Sequence, residues 1–398
     1  MFDHDIVIAG GGIAGLTAAA AFGTAGFNVL VVDPTPPVTA READGADMRT
    51  TAFLQPAQAL LEKAGLWERL AEHAAPLQVM RIVDAGGEQP EPRVTREFNA
   101  ADISEAPFGW NLPNWLLRRE MVVRLETLDT VTFRSGVAAT GLFTREAEAR
   151  ARLSDGSSVR SRLVIAADGR NSVMREAAGI GVRTTRYGQK ALAFAVTHTE
   201  PHENVSTEIH RTGGPFTLVP LPDWEGQPSS AVVWMEEGPN AKALFEMEPE
   251  AFEDAMTTRS CGLFGPLKLA SRRTIWPIIS QVADRLNGER VALIAEAAHV
   301  VPPIGAQGLN MSLADLATLL DLAEARPDGL GDAAMLEAYH RDRIADIRTR
   351  VAGITLLNRA SMVSAQPLRD ARASGLNALY ALGPVRKSLM RLGLGAKG

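Results

Sequence analysis

Three glycines near the N-terminus have the spacing of a phosphate-binding turn. Gly10, Gly12 and Gly15 form the pattern G-x-G-x-x-G between an apolar run and an alanine-rich segment. The first glycine permits a tight turn, the second lets the backbone approach a pyrophosphate, and the third lets helix and strand pack closely. The helix that follows, which opens with Ile13 and Ala14, would point its free N–H groups at the phosphates.

An acidic residue follows the second apolar run, at the position where dinucleotide-binding turns have one. Asp33 follows the apolar run 28–32 and lies where a carboxylate takes both hydroxyls of an adenosine ribose. A glycine triplet alone is equally typical of a tight turn. Because strand, turn, helix, strand and acid occur in order within about 30 residues, they predict dinucleotide binding.

The segment 163–175 is an apolar run that ends at Asp168-Gly169 and leads into a helix. On its own it favours an ordinary turn between a strand and a helix, in which Asn171 or Ser172 caps the helix.

A third segment, 293–310, joins an apolar run to Glu296, a rigid Pro302-Pro303 turn and a glycine-rich helix start. The positive end of such a helix would support negative charge on a ring bound there. His299 is a candidate for proton transfer. A single histidine beside a packed strand is more often structural, so the structural interpretation is favoured.

These residues need a scaffold that combines a parallel and an antiparallel sheet. Continuous apolar runs at 6–9, 28–32 and 291–295 predict buried parallel strands, and short strands between 191 and 235 predict a mostly antiparallel sheet inserted as a second domain. Helices are predicted at 14–25, 52–73, 308–326 and 332–364, with shorter ones after them.

Composition excludes several classes of protein. Of the 398 residues, 46% are apolar and 22% are charged, so the chain is not disordered. The net charge of -6 argues against a nucleic-acid partner. A single cysteine, Cys261, and the lack of paired Cys/His spacings predict no disulfide, no metal site and a reducing, cytoplasmic location.

The three segments, in this order and spacing, resemble the FAD-dependent aromatic hydroxylases (class A flavoprotein monooxygenases) over nearly the whole chain. In that family the first segment binds the ADP part of FAD. The second, D-G-x-x-S-x-x-R, is matched by Asp168, Gly169, Ser172 and Arg175, and it serves FAD and the transient NAD(P)H. The third begins G-D-A-A-H and holds the ribityl chain and the flavin ring.

The resemblance implies the mixed α/β fold of p-hydroxybenzoate hydroxylase, a Rossmann-like FAD-binding domain with an inserted antiparallel substrate domain. We predict the FAD-binding domain at 1–75, 105–185 and 276–340, the substrate domain at 76–104 and 186–275, and C-terminal helices at 341–398.

The resemblance also implies which residues contact FAD beyond the glycine turn and Asp33. They are Arg49, Asn114, Asp168, Gly169, Arg175, Glu296, Pro303, Gly305, Gln307, Gly308, Leu309 and Asn310. Two positions depart from the family pattern. Ala295-Glu296 replaces Gly-Asp, which keeps a hydroxyl acceptor but lengthens it by one methylene, and Gly305-Ala306 reverses the usual Ala-Gly.

The implied reaction uses tightly bound, non-covalent FAD, NAD(P)H as a transient donor, and O2, without a metal. NAD(P)H reduces FAD, O2 adds to the reduced ring, and the resulting hydroperoxide gives one oxygen to an electron-rich aromatic carbon. The protein positions the reactants and excludes water. Pro303 is expected to position the substrate at the reacting face, and His299 is the candidate for proton transfer; no dedicated acid or base is predicted.

Within the family, the pattern resembles most the ubiquinone-biosynthesis hydroxylases of the UbiH/UbiF type. The features are Arg49-Thr50-Thr51-Ala52, Tyr187-Gly188-Gln189 and Tyr339-His340-Arg341. With only three tyrosines in the chain, a tyrosine relay that ionises a small phenol is poorly supplied, so a polyprenylated phenol held by apolar surface fits better. Two alternatives remain: a hydroxylase of a small soluble aromatic compound, and a weakly active flavin-binding member of a ubiquinone-synthesis assembly.

The C-terminal residues 375–398 carry four basic residues, Arg386, Lys387, Arg391 and Lys397, and no acid, with leucines between them. Such a segment would bring the enzyme to the surface of the inner membrane. The alternative is a pair of helices packed on its own domain.

Overall fold

The computed structural model describes residues 2–395. The strands, in chain order, are β1 (Ile6–Ala9), β2 (Val29–Asp33), β3 (Thr50–Leu54), β4 (Ala75–Leu77), β5 (Val79–Asp84), β6 (Val94–Asn99), β7 (Gly109–Pro113), β8 (Val131–Ser135), β9 (Ala139–Arg145), β10 (Glu148–Leu153), β11 (Ser158–Ser161), β12 (Leu163–Ala166), β13 (Val182–Thr197), β14 (Val205–His210), β15 (Pro215–Trp224), β16 (Gln227–Glu237), β17 (Lys268–Leu269), β18 (Thr274–Ala283), β19 (Asn287–Gly288), β20 (Val291–Leu293) and β21 (His299–Val300).

The α-helices are α1 (Ile13–Thr24), α2 (Gln55–Lys63), α3 (Trp67–Leu70), α4 (Asn114–Glu126), α5 (Val173–Ala177), α6 (Gly238–Glu246), α7 (Pro249–Arg259), α8 (Ala295–Ala298), α9 (Gln307–Ala325), α10 (Ala333–Met362), α11 (Gln366–Ala381) and α12 (Gly383–Leu394). Short 3-10 turns lie at Ala71–His73, Ala100–Asp102 and Pro327–Gly329.

The first sheet has the order β19-β20-β12-β1-β2-β8, and its five longer strands are parallel. Every residue of β1, β12 and β20 is buried, because helices and the strands β10 and β11 cover the faces of the sheet. This explains why these strands are uniformly apolar rather than alternating, and it confirms the predicted Rossmann-like start.

The second large sheet has the order β21-β18-β13-β16-β15-β14-β5-β6, with β17 paired to β13. All its pairs are antiparallel except β5 with β14, so the predicted, mostly antiparallel sheet is confirmed. A three-stranded sheet, β3-β7-β4, lies beside it, and the Asp155-Gly156 turn joins β10 to β11 in another, β11-β10-β9.

The two faces of the second large sheet bury different cores. The outer face packs against α6 and α7 through Phe194, Phe216 and Trp234. The inner face joins the core of the parallel sheet through Ala191 and Met235. Successive residues of a strand point to opposite faces, and on the inner face Ala195, Ala231 and Leu221 form a further small cluster.

Two sequence predictions are wrong at element ends. Residues 52–54 are not helical, because they belong to β3 and pair with β7. The apolar run 291–295 does not continue as a strand beyond Leu293, because Ala295 has the left-handed φ of 55° and begins α8. At residues 52–54 the backbone conformation follows from pairing with β7 rather than from local propensity.

The proposed domain boundaries stay a prediction, although β13 and β18 run across two of them. Helix α10 contacts both sheets: the Tyr339 hydroxyl donates to Leu293 O at 2.7 Å, and Asn358 Nδ2 donates to Gln189 Oε1 at 2.9 Å. Lys397 lies outside the described residues. No helix between residues 2 and 395 is both long and apolar enough to cross a membrane.

Candidate active site

The glycine turn of the first segment lies between β1 and α1. A Cβ atom at Gly10, where φ is 109°, would lie 2.3 Å from Ala167 O, and one at Gly15 would lie 1.9 Å from Gly10 O. A Cβ atom at Gly12 would meet no atom within 4 Å. Gly10 and Gly15 are therefore required by packing, whereas Gly12 borders open space.

That open space lies at the positive end of a twelve-residue helix. Helix α1 begins at Ile13 and Ala14, and no side chain caps its N-terminus. The first N–H groups of a helix have no partner within it and carry partial positive charge. The turn therefore fits a pyrophosphate, the group that the sequence predicts there.

Asp33 lies beside this turn at the end of β2. Its two carboxylate oxygens accept hydrogen bonds from the Gly11 N–H at 2.6 Å and the Thr35 N–H at 2.8 Å. Each carboxylate oxygen can accept a further bond, so the carboxylate is held in place with capacity left for ribose hydroxyls.

The second segment forms the turn from β12 to α5. Asp168 accepts from the Ser172 hydroxyl at 2.5 Å and from the Met174 N–H at 3.1 Å, and Ser172 caps the helix by accepting from the Arg175 N–H at 2.9 Å. Gly169 has a φ of 85°. These contacts give Asp168 a clear structural role, as the capped-turn interpretation predicts.

Arg175 links the second segment to the third. Its guanidinium is buried and donates to Arg170 O at 3.0 Å and to Ala297 O at 3.2 Å, while its Nε has no partner among the described residues. Arg175 thus holds the start of α5 against α8.

A polar cluster around Asp47 positions Arg49 and Asn114. Arg49 donates to Asp47 through Nε at 2.8 Å and Nη2 at 2.7 Å, and Asn114 Nδ2 donates to it at 3.1 Å. Burial acts to raise the pKa of Asp47, but the bonds from Arg49 and Asn114 and the charge of Arg118 outweigh it and hold that pKa below its ordinary value. Asp47 is therefore a carboxylate at neutral pH.

Arg49 connects the cluster to the third segment by charge. Its hydrogen bond to Asp47, opposed by burial and reinforced by the negative charges of Asp47 and Glu296, raises the pKa of the guanidinium. The guanidinium lies 5.6 Å from the ring centre of Trp276, on β18. Glu296 itself is exposed. The negative charge of Glu296 thus acts on a cation at the place where the sequence expects the flavin.

Helix α9 begins next to this cluster. Gly305 and Ala306 both have left-handed backbones, with φ of 63° and 56°, and Pro303 precedes them, half-buried. Gly308 is exposed and Leu309 is half-buried in the first turn. No side chain caps the N-terminus of α9, whose first N–H groups carry partial positive charge.

The polar side chains at the start of α9 are used by the protein. Asn310 accepts from the Leu54 N–H at 2.8 Å and donates to Ala52 O at 2.7 Å and Ala306 O at 2.6 Å. Gln307 Nε2 donates to Gly305 O and Gly393 O, both at 2.9 Å. These residues fix the helix start, and their contact with FAD stays a prediction.

His299 is enclosed in a buried ionic network. Its Nε2 lies 2.6 Å from an oxygen of Asp315, whose other oxygen accepts from Arg343 Nε at 2.7 Å. The His299 side chain is 1% exposed. Because proton transfer requires contact with a reactant, this burial favours a structural role for His299 over the catalytic one.

The fold brings the three segments to one edge of the parallel sheet. Ala9 pairs with Val32 on one side and Ala166 on the other, and Ala166 pairs with Leu293. The glycine turn, Asp33, Asp168 and Glu296 therefore all follow the carboxyl ends of adjacent strands. That edge is where open α/β sheets bind their ligands.

Part of the inner face of the second sheet is only half-buried, and we call this part the cleft. Thr217 pairs with Val233, and Val233 pairs with Ala193, so these residues share the inner face. Thr217, Val219 and Val233 are half-buried, whereas the outer-face residues between them are fully buried. The cleft floor is thus made of small, mostly apolar side chains next to the FAD-binding domain.

Sequence reasoning missed one polar pair on this face. His210 Nε2 lies 2.6 Å from Glu208 Oε1, and each side chain is 15% exposed. Glu208 pairs with Thr217 across the strands, so both residues lie on the inner face of the sheet. A Glu-x-His pattern in the predicted strand carried this signal, since residues two apart on a strand share a face.

The fold and this site define a flavin-dependent monooxygenase. p-Nitrophenol 4-monooxygenase PnpA from Pseudomonas putida DLL-E4 superposes with a TM-score of 0.79 at 18% identity, covering 99% of both chains. The predicted p-hydroxybenzoate hydroxylase fold is thereby confirmed.

The sequence profile described as FAD binding domain matches residues 3–352, and the chain belongs to that family. Ubiquinone hydroxylase UbiL from Rhodospirillum rubrum is 34% identical over 394 residues, covering 98% of this chain and 89% of the relative. The 3-demethoxyubiquinol 3-hydroxylase of Escherichia coli (strain K12) is 26% identical and is covered over 98% of both chains.

The first prediction separates the glycines by their roles. Gly12 has a φ of -71°, which alanine can adopt, and open space around it, so Gly12→Ala leaves the melting temperature of the FAD-free protein unchanged. The added methyl group fills the pyrophosphate space and weakens FAD binding at least about tenfold. Gly15→Ala, which meets Gly10 O, lowers the melting temperature of the FAD-free protein. Equal effects of both variants on the melting temperature would contradict this assignment.

The second prediction concerns the departures from the family's glycines. Ala295 and Ala306 have left-handed backbones, in which a Cβ atom is strained. Ala295→Gly and Ala306→Gly remove that strain, and each raises the free energy of unfolding by about 0.5–1 kcal/mol. The control, Ala297→Gly, removes a buried methyl from ordinary helical backbone and lowers it by about 1 kcal/mol. Denaturant unfolding measures the free energy of unfolding of all three variants. A loss of stability in Ala295→Gly and Ala306→Gly would show that the two alanines are not strained.

The third prediction concerns the His299 network. Asp315→Ala leaves two buried partners unpaired and lowers the free energy of unfolding by about 3–5 kcal/mol. Asp346→Ala removes a half-exposed partner of the same Arg343 and costs under about 1 kcal/mol. Denaturant unfolding at neutral pH compares the two variants, and similar losses would argue against a buried network.

Proposed function

We propose that this protein hydroxylates the aromatic ring of a polyprenylated phenol in ubiquinone biosynthesis, using FAD, O2 and NAD(P)H as the transient donor. The observation that carries the proposal is the open space at Gly12 beside the uncapped N-terminus of α1, which fits the pyrophosphate of FAD. The names of the relatives, a ubiquinone hydroxylase and a demethoxyubiquinol hydroxylase, support the choice of substrate.

Bound FAD would supply electron transfer from NAD(P)H and the activation of O2. The chain's own residues would hold and orient FAD. The open space at Gly12 and the N-terminus of α1 would take the pyrophosphate, and Asp33 would take ribose hydroxyls. Arg49, kept charged and oriented by Asp47, would place a cation beside the ring system.

The cleft would hold the substrate and exclude water. Val219 and Val233 offer apolar contact for a prenyl chain, and Thr217 is the hydroxyl on the same face. The positive end of α9 would stabilise negative charge that develops near it during the reaction. Glu296 would accept a ribityl hydroxyl from its exposed position in α8.

The fourth prediction tests this function. The purified protein shows the visible absorption of bound flavin, and a prenylated phenol accelerates NAD(P)H oxidation and gains one oxygen atom, measured by mass spectrometry. Greater acceleration by a small polar phenol, such as 4-hydroxybenzoate, would indicate a soluble aromatic hydroxylase instead. Bound flavin without acceleration by any phenol would indicate a weakly active flavin-binding protein.

A pair of variants locates the substrate within the cleft. Val233→Arg places a charge on the apolar floor and lowers kcat/KM for the prenylated phenol at least about tenfold while flavin content is retained. The control is Val182→Arg, an exposed valine of the same sheet, which leaves kcat/KM unchanged. Unchanged activity in Val233→Arg would show that the substrate does not bind in this cleft.

A further inference from the structure

One carboxylate on the inner face of the second sheet has an oxygen that the protein does not use. Glu208 Oε1 lies 2.6 Å from His210 Nε2. Glu208 Oε2 has no hydrogen-bond partner among residues 2–395 and is not enclosed by the protein. No arginine or lysine nitrogen of the described residues lies within 4 Å of Glu208. Because a carboxylate away from bulk water is costly unless its oxygens accept hydrogen bonds, Oε2 is available to a donor on a ligand.

The Glu208–His210 pair does not connect elements of the fold. Both residues belong to β14, so their contact lies within one strand. The acid that pairs with His210 across the strands, Asp84, has a different role. It accepts from Arg93, just before β6, and from Arg372 of α11, and it therefore ties that helix to the sheet. Glu208 makes no such tie, so a structural role does not account for it.

His210 fixes the position of Glu208. An ionised carboxylate only accepts hydrogen bonds, so His210 Nε2 donates the hydrogen. The other ring nitrogen, Nδ1, is enclosed and has no partner among the described residues. The imidazole therefore has a single polar contact, which orients the Glu208 carboxylate and leaves Oε2 free.

Glu208 continues the cleft from β15 onto β14. It pairs with Thr217, and both side chains are half-buried. The inner face is covered on either side of this stretch. Met235 belongs to the core shared with the parallel sheet, and Phe98 of β6 packs edge-on against Tyr380 of α11, with 5.6 Å between the ring centres. The half-buried stretch therefore lies between two covered parts of the same face, with the free carboxylate oxygen inside it.

Val233 lies midway between Glu208 and the cluster around Arg49. Val233 is on β16, which is two strands from β14 on one side and two strands from β18, which carries Trp276, on the other. Neighbouring strands are about 4.8 Å apart, so each separation is about 10 Å. The Arg49 guanidinium lies 5.6 Å from the ring centre of Trp276. A ring bound over Val233 would therefore have Glu208 at one edge and the expected place of the flavin at the other.

We propose that Glu208 is a specificity-determining residue that accepts a hydrogen bond from the ring hydroxyl of the substrate, and that His210 is its positioning residue. The acceptor selects a phenol over the same ring without a hydroxyl. Its negative charge rejects a ring that carries a carboxylate at that position. The proposal rests on the proposed function, because it assigns the part of the site that binds the phenol end of that substrate.

The fifth prediction tests the hydrogen bond with two ligands that differ only in the hydroxyl. Prenylphenol and prenylbenzene are titrated into the FAD-loaded protein without NAD(P)H, and isothermal titration calorimetry gives each Kd. The unmodified protein binds the phenol at least about tenfold more tightly, because the hydroxyl donates to a charged acceptor. In Glu208→Ala the two Kd values differ by less than about twofold, since the acceptor is gone.

A third ligand tests the charge. Prenylbenzoate carries a carboxylate where prenylphenol carries its hydroxyl. Glu208→Gln keeps the size of the side chain and an acceptor for His210 but removes the negative charge. It therefore binds prenylbenzoate at least about tenfold more tightly than the unmodified protein does, because two like charges no longer meet. Equal binding of prenylbenzoate by the two proteins would overturn the electrostatic rejection.

Two variants of His210 test its positioning role. His210→Gln supplies an amide N–H near the place of Nε2 and keeps the preference for the phenol, whereas His210→Leu loses most of it. Equal preferences in these two variants would overturn that role. The matched control is Glu72→Ala, which removes the carboxylate 3.3 Å from His73 Nε2 in an exposed pair and leaves every Kd unchanged. Flavin content and melting temperatures show that all variants are folded.

These equilibria separate this proposal from the proposed function. A preference for the phenol that Glu208→Ala abolishes, in a protein that does not hydroxylate it, would support the hydrogen bond and contradict the proposed function. Hydroxylation with a preference that Glu208→Ala leaves unchanged would support the function and overturn the hydrogen bond. Absence of phenol binding by the unmodified protein, or loss of the preference in Thr217→Val but not in Glu208→Ala, would also overturn it.

Discussion

The close approach of α1 to the parallel sheet is the constraint on which the site depends. At Gly15 the helix passes so near the Gly10 carbonyl that a Cβ atom would lie 1.9 Å from its oxygen, and a Cβ atom at Gly10 would lie 2.3 Å from Ala167 O, just after β12. This packing is possible only without side chains at the two positions. It sets the N-terminus of α1 directly beyond the strand ends and leaves the space at Gly12 open, so one steric requirement creates the cofactor cradle.

The remaining segments are held to this edge by buried polar contacts. Asp168 closes the turn into α5, Arg175 ties that helix to Ala297, and Asp315 holds His299 between α9 and α10. Buried polar groups are costly when they are unpaired, and paired groups therefore select a single arrangement. Several residues that the family pattern marks as cofactor contacts thus also build the shape of the site. Substitutions there will alter stability and FAD binding together, whereas Gly12 separates the two.

The large antiparallel sheet serves the site through the difference between its faces. One face closes a core with α6 and α7, and the other remains half-open towards the FAD-binding domain. The half-buried face carries the Glu208–His210 pair, and helix α12 contacts the start of α9 through Gln307.

The sequence by itself determined the features whose causes are local in the chain. The glycine turn, the uniformly buried strands β1 and β2, the limits of α1 and α9 to within a residue or two, and the composition of the cleft strands all follow from short-range patterns. Tertiary structure alone decided the others. Residues 52–54 form a strand because β7 lies beside them, β20 ends early because Ala295 turns left-handed, and Arg175, Asn310 and Gln307 find partners 122, 256 and 86 residues away. Which face of a strand meets the cleft, and which polar group a side chain contacts, depends on pairing between distant segments, and no local propensity encodes that pairing.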